Sequence, residues 1–155
     1  MTRGGAVLHA SLTDAAAVRD FITAAALLQG DRIRHFIETA GLHPDSTFEG
    51  KPTALCYAAL KADSDLTGYL LARGADVNHT DGAGMTPLHY GTLGGCAQCL
   101  VRLMDRGARL NAPNQCGQTP LALAASRPGL VGCRDLLASY GGSLTANTPG
   151  ARRLH

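Results

Sequence analysis

The sequence predicts an all-α solenoid, a stack of helix-turn-helix units joined by β-hairpin-like turns. Three observations predict it. Near-copies of one stretch begin at Thr53 ("TALCYAA"), Thr86 ("TPLHYGT") and Thr119 ("TPLALAA"), thirty-three positions apart. With each threonine as position zero, further registers coincide: Ala58, Gly91 and Ala124 at five, Gly74 and Gly107 at twenty-one, Asn78 and Asn111 at twenty-five, Gly84 and Gly117 at thirty-one. Between these landmarks lie short apolar runs of helical spacing and Gly/Asn/Asp-rich turns.

Extending the period upstream puts position zero at Asp20, where "FITAAALLQGDRIRHFIETAG" supplies two helical segments and places Gly41 at position twenty-one. It has no Thr-Pro start and reads as a degenerate capping repeat over 17–45, before repeats at 46–78, 79–111 and 112–145. Thr86-Pro87 and Thr119-Pro120 place a hydroxyl acceptor at an N-cap and a proline at the first helical position, where its missing N–H is no loss. A second helix follows, with Leu66, Leu70 and Leu71 in one unit and Cys99, Leu100, Leu103 and Met104 in the next at spacings of three and four. Gly74 and Gly107 then stop it in the left-handed conformation that glycine adopts without a Cβ clash. "HTDGAG" and "APNQCG" read as tight turns or hairpins. The last repeat needs one extra residue, near Pro128-Gly129, to bring Gly141 and Leu144 into register. Residues 1–12 then form a flexible leader, 13–145 the repeat domain and 146–155 a flexible tail.

Residues 81–111, "DGAGMTPLHYGTLGGCAQCLVRLMDRGARLN", resemble the ankyrin repeat family, whose consensus runs close to T-P-L-H-x-A-A, a glycine, an apolar helix and G-A-D-V-N. The resemblance implies an ankyrin-repeat solenoid that binds another protein. It also implies that the His89 imidazole hydrogen-bonds backbone near the turn and ties neighbouring repeats together. Asn78 and Asn111 stand where ankyrin proteins are sometimes hydroxylated; the alternative is an asparagine that closes its own turn with the side-chain amide.

Composition narrows the function. A chain of 155 residues, 45% hydrophobic, can bury a real core. Its 14 basic and 12 acidic residues are scattered singly and sum to +2, which lacks the basic stripe of a nucleic-acid binder. The N-terminal stretch meets Asp14 before an apolar core develops, and no run approaches eighteen apolar residues, so the reading is a monomeric intracellular, cytoplasmic protein with no membrane partner. Five cysteines, an odd number at irregular spacings, predict reduced thiols.

Candidates for chemistry are few. Cys96-Ala97-Gln98-Cys99 has the spacing of a dithiol redox site or half a zinc site. Cys99, however, shares an apolar column with Ile33, Leu66 and Cys133, and reads as a small core residue. His35, His43 and His79 have no metal spacing, and Asp63 and Asp65 flank a helix start, where negative charge is favourable anyway. No nucleophile elbow, Walker sequence or dinucleotide fingerprint occurs. The chain reads as a non-enzyme without cofactor or metal.

Function then falls to a surface. Stacking aligns the turn tips and the exposed sides of the first helices along one concave face. Its members are Gly82, Ala83, Met85, Gln115, Cys116 and Gln118 on the turns, and Tyr57, Lys61, Tyr90, Leu93, Ser126 and Arg127 on the helix side. Tyr, Met and Arg are residue types that interfaces favour. Tyr57 and Tyr90 share position four of consecutive repeats, so they contact a partner or pad the stack. The leading reading is a protein-binding adaptor or inhibitor. A kinase-inhibitor-like, effector or toxin-neutralising protein is the narrower version, and a cysteine-based redox or zinc protein centred on Cys96 and Cys99 is the alternative of another class.

Overall fold

The computed structural model describes residues 15–145, so the readings made for 1–12 and 146–155 lie outside the described residues. Helix α1 spans 15–26, and α2 spans Gly30–Glu38. They are followed by α3 (Ala54–Leu60) and α4 (Ser64–Ala72), α5 (Pro87–Gly94) and α6 (Ala97–Asp105), and α7 (Pro120–Ala125) and α8 (Val131–Ser139). The extra residue of the last unit becomes a 3-10 turn, Pro128–Leu130, which absorbs it ahead of α8. Helices α3, α5 and α7 pack side by side in one layer, with α4, α6 and α8 in a second.

Local chemistry starts and stops these helices as the sequence indicates. Thr86 Oγ1 accepts the His89 N–H at 3.3 Å and Thr119 Oγ1 accepts the Ala122 N–H at 3.1 Å. Thr53 occupies the same place ahead of α3 but makes no side-chain cap; its hydroxyl donates to Cys56 Sγ at 3.6 Å. At the second helices Asp63 Oδ1 caps α4 through the Leu66 N–H at 2.9 Å, and Cys96 Sγ holds the corresponding place at α6. Gly74 and Gly107 follow the last turns of α4 and α6 with φ of 92° and 86°.

The interior is a continuous apolar stack. Phe21, Ile33, Leu55, Leu70, Leu88, Leu100, Leu103 and Leu137 are fully buried. The column Ile33, Leu66, Cys99 and Cys133 is buried along all four second helices. Close packing of the first helices depends on small residues: a Cβ on Gly94 would lie 2.5 Å from the Leu60 carbonyl oxygen and 2.6 Å from that of Ala59. α5 therefore reaches the end of α3 at a distance only glycine permits.

Repeats are joined by polar rungs as well. Asp45, Asn78 and Asn111, thirty-three positions apart, each accept a backbone N–H from the following repeat: Asp76 at 2.9 Å, Arg109 at 2.7 Å and Ser143 at 2.6 Å. The Asn78 amide also donates to the Gly107 carbonyl at 3.2 Å. These asparagines therefore bridge to the next unit instead of closing their own turns. The expected hairpins differ too. Among the described residues no strand forms, and each turn is a loop closed by two main-chain bonds: Asp81 N–H to Met85 O at 3.2 Å with Gly84 N–H to Asp81 O at 2.9 Å, and Asn114 N–H to Gln118 O at 3.0 Å with Gly117 N–H to Asn114 O at 2.9 Å.

Candidate protein-binding surface

The turn tips are built around one acidic or amide side chain each. Asp81 Oδ1 accepts the Ala83 and Met85 N–H groups at 2.9 and 3.0 Å, and Asn114 Oδ1 accepts those of Cys116 and Gln118 at 2.9 and 3.0 Å. Adjacent tips are then tied in register, Gly82 N–H to Gly50 O at 2.9 Å and Gln115 N–H to Ala83 O at 3.0 Å, with the Gln115 amide also reaching Gly82 O. The outcome is a row of tips whose main chain is largely satisfied within the row. Neither Asp81 nor Asn114 is among the sequence-predicted site residues; their shared register, thirty-three positions apart, was the available signal.

The twelve sequence-predicted surface residues divide in two. Gly82, Ala83, Gln115 and Cys116 are exposed on the tips, and Lys61, Ser126 and Arg127 are exposed at the C-terminal ends of α3 and α7. Met85, Gln118, Tyr57, Tyr90 and Leu93 are half-buried. Three of these are engaged internally: Met85 Sδ accepts the Asn114 amide at 3.4 Å, Gln118 O accepts from the His89 ring at 2.9 Å, and the Tyr90 hydroxyl donates to Asp81 Oδ2. Tyr57 and Tyr90 both pack against the apolar core.

Electrostatics follow from these contacts. Burial holds the Tyr90 phenol far above its ordinary range, and the Asp81 carboxylate beside it reinforces the shift. Burial likewise raises the Cys56 thiol to about 11, so it is a packed thiol and not a nucleophile. His89 is fully buried, with Nδ1 accepting the Thr86 N–H at 3.1 Å and Nε2 facing Gln118 O at 2.9 Å. That geometry requires the neutral ring with its proton on Nε2. Burial lowers its proton affinity, partly offset by the Gln118 carbonyl. The imidazole thus ties its own turn to the next, as the resemblance implied.

Two findings lie off the predicted surface. The reduced state expected for all five cysteines does not hold, because Cys96 and Cys99 are joined by a disulfide with Cα atoms 5.2 Å apart, while Cys56, Cys116 and Cys133 are free. A three-residue spacing across a helix start brings the two Cβ atoms together, the dithiol spacing noted in the sequence but set aside there in favour of a core role for Cys99. The second is an open groove of about 560 Å³ across the second helices, lined in part by Asp65, Gln98, Val101, Arg102 and Leu136. It includes none of the twelve. Among the described residues no three His, Cys, Asp or Glu side chains gather as metal ligands, and no helix is long and apolar enough to cross a membrane.

Stacked two-helix units with locked tips define a repeat scaffold, a class in which each unit buries its apolar face only against its neighbours. A family profile for ankyrin repeats in three copies matches residues 16–114 and again 55–148, and the chain belongs to the ankyrin repeat family. Ankyrin repeats are in general protein-interaction modules. The potassium channel AKT1 of Arabidopsis thaliana is 42% identical over 50 residues, which cover 32% of this chain and 6% of the channel. The likeness therefore reaches a small fraction of that protein's length.

Proposed function

We propose that the chain is a non-enzymatic adaptor or inhibitor that binds another protein through the concave face formed by the row of turn tips and the exposed side of the first helices. The observation that carries this reading is the tip row itself. Gly82, Ala83 and Gln115 have their main chain held by bonds between repeats, and Cys116 is held by the Asn114 amide oxygen of its own turn, while the outer faces of all four remain exposed. A surface pre-organised in this way loses little conformational entropy on binding. Lys61 and Arg127 extend the same side with positive charge, and half-buried Tyr57 and Tyr90 supply aromatic edges behind it.

Affinity capture from the source cell with the full chain, followed by mass spectrometry, identifies the partner. The partner's affinity for tip variants Ala83→Arg and Cys116→Arg then tests the surface, because neither side chain supports the fold. Each is expected to weaken binding at least about tenfold with the helical signal unchanged. Full binding by both, with loss in a Val101→Arg variant on the second helices, would transfer the interface to the opposite groove. A kinase inhibition panel tests the narrower inhibitor version.

A further inference from the structure

We propose that Cys96 and Cys99 form a reversible dithiol-disulfide couple that exchanges electrons with a small peptide thiol, with glutathione as the reference reagent. The site is independent of the tip row. The two cysteines bracket the start of α6, a nine-residue helix. Their Cα separation of 5.2 Å needs no backbone movement to make or break the bond. Cys96 Sγ sits at the N-cap and accepts the Cys99 N–H at 3.1 Å, so a thiolate there meets the positive end of the helix. A bridge inside one helical turn pins no two helices together and closes a loop too short to restrict the unfolded chain much. Its chemistry is therefore more consequential than its contribution as a staple.

Accessibility assigns the roles. Cys96 is 9% exposed and Cys99 is fully buried, its sulfur 3.8 Å from the Thr67 hydroxyl. Cys96 is the nearer of the two to the surface and takes the attack of the external thiol in this scheme, with Cys99 as the resolving partner; neither cysteine lines the groove beside them. Ala97 and Gln98, the exposed residues between them, form one wall of the groove across the second helices, and the guanidinium-bearing Arg102 lines the same groove. That volume suits a tripeptide, with Arg102, whose Nε donates to Ser64 Oγ at 2.8 Å, available to a carboxylate and Asp65 to the amino group.

In the reducing direction a glutathione thiolate attacks Cys96 Sγ. The Cys96–Cys99 bond breaks, a mixed disulfide forms on Cys96, and Cys99 leaves as a thiolate that takes up a proton. A second glutathione thiolate attacks the glutathione sulfur of the mixed disulfide. This releases Cys96 as a thiolate at the head of α6 and forms glutathione disulfide. Two electrons pass from two glutathione thiols to the pair, and the two protons those thiols surrender balance the two cysteines once both are protonated. Oxidation by glutathione disulfide is the same sequence reversed.

The test uses the full chain carrying Cys116→Ser, which removes the exposed free thiol. The protein is equilibrated across graded ratios of reduced to oxidised glutathione, quenched with maleimide under denaturing conditions, and read by intact mass and peptide mapping. The expected result is a gain of two maleimides at Cys96 and Cys99 across one midpoint inside the ratio series. Adding Cys99→Ser removes the resolving thiol and should raise the Cys96-glutathione adduct at least about tenfold over the parent. A pair that stays bridged, or stays reduced, at every ratio overturns the proposal, as does an adduct that maps to Cys56 or Cys133. The midpoint needs no change at the pair itself, so a misfolded Cys99→Ser chain, detected by loss of helicity, leaves the primary measurement decisive.

Discussion

At the scale of single residues, His89 performs two tasks that the T-P-L-H pattern does not separate. Its Nδ1 completes a reciprocal cap with Thr86, and its Nε2 reaches across to Gln118 in the next turn. His89→Gln retains a side chain able to cap and removes the bond between repeats, so a loss of about 1–3 kcal/mol is expected in urea melts. The same residue sets a pH dependence. Its folded form is held neutral, with proton affinity below the ordinary value of about 6.5, so the unfolded chain binds the proton more readily. Its contribution is whole above that pH and declines as the pH falls through and below it. The stability difference between the wild type and His89→Gln should therefore shrink between pH 7 and pH 5; an unchanged difference would mean the ring is not held neutral. Gly94 is a steric case. A methyl group would run into the Leu60 and Ala59 carbonyls, so Gly94→Ala should destabilise by about 1–3 kcal/mol although alanine is the better helix former.

At the scale of elements, three of the four links between paired helices carry a left-handed residue; the α7–α8 link, with its 3-10 turn, carries none, and Leu28 takes that conformation between α1 and α2 with φ of 53°. The residue is Gly95 between α5 and α6, with φ of 69°, but Ala62 between α3 and α4, with φ of 62°. A Cβ in that conformation is unfavourable by about 1–2 kcal/mol, partly offset by alanine's smaller chain entropy. Ala62→Gly is accordingly expected to stabilise the array by about 0.5–1 kcal/mol, read as a shifted urea midpoint with an unchanged slope. Helix starts and stops were legible, because Thr-Pro and a left-handed glycine act over three or four residues. The missing side-chain cap at Thr53 was not, since Thr53 matches the other threonines in register and differs in where its hydroxyl turns. The hairpins failed for a related reason: turn composition specifies a reversal, while a ladder needs flanking residues extended in register.

At the scale of the whole molecule, stability is carried between repeats. Leu103 is fully buried in α6, and Leu103→Ala should cost about 2–5 kcal/mol in a thermal or urea melt; an unaffected melt would mean that the α6 face packs differently. The repeat unit, its period, the extra residue ahead of α8 and the membership of the apolar columns were all determined by the sequence alone. Each depends on local backbone preference or on periodic burial, which a linear pattern records. Only the tertiary structure decided that Asp45, Asn78 and Asn111 span to the next unit, that Met85 and Tyr90 are tied to the tips they were expected to present, and that Cys96 pairs with Cys99. Those outcomes depend on distances and side-chain directions set when neighbouring units nest. A polar or sulfur atom can satisfy its bonding in several places along the chain, and packing selects among them.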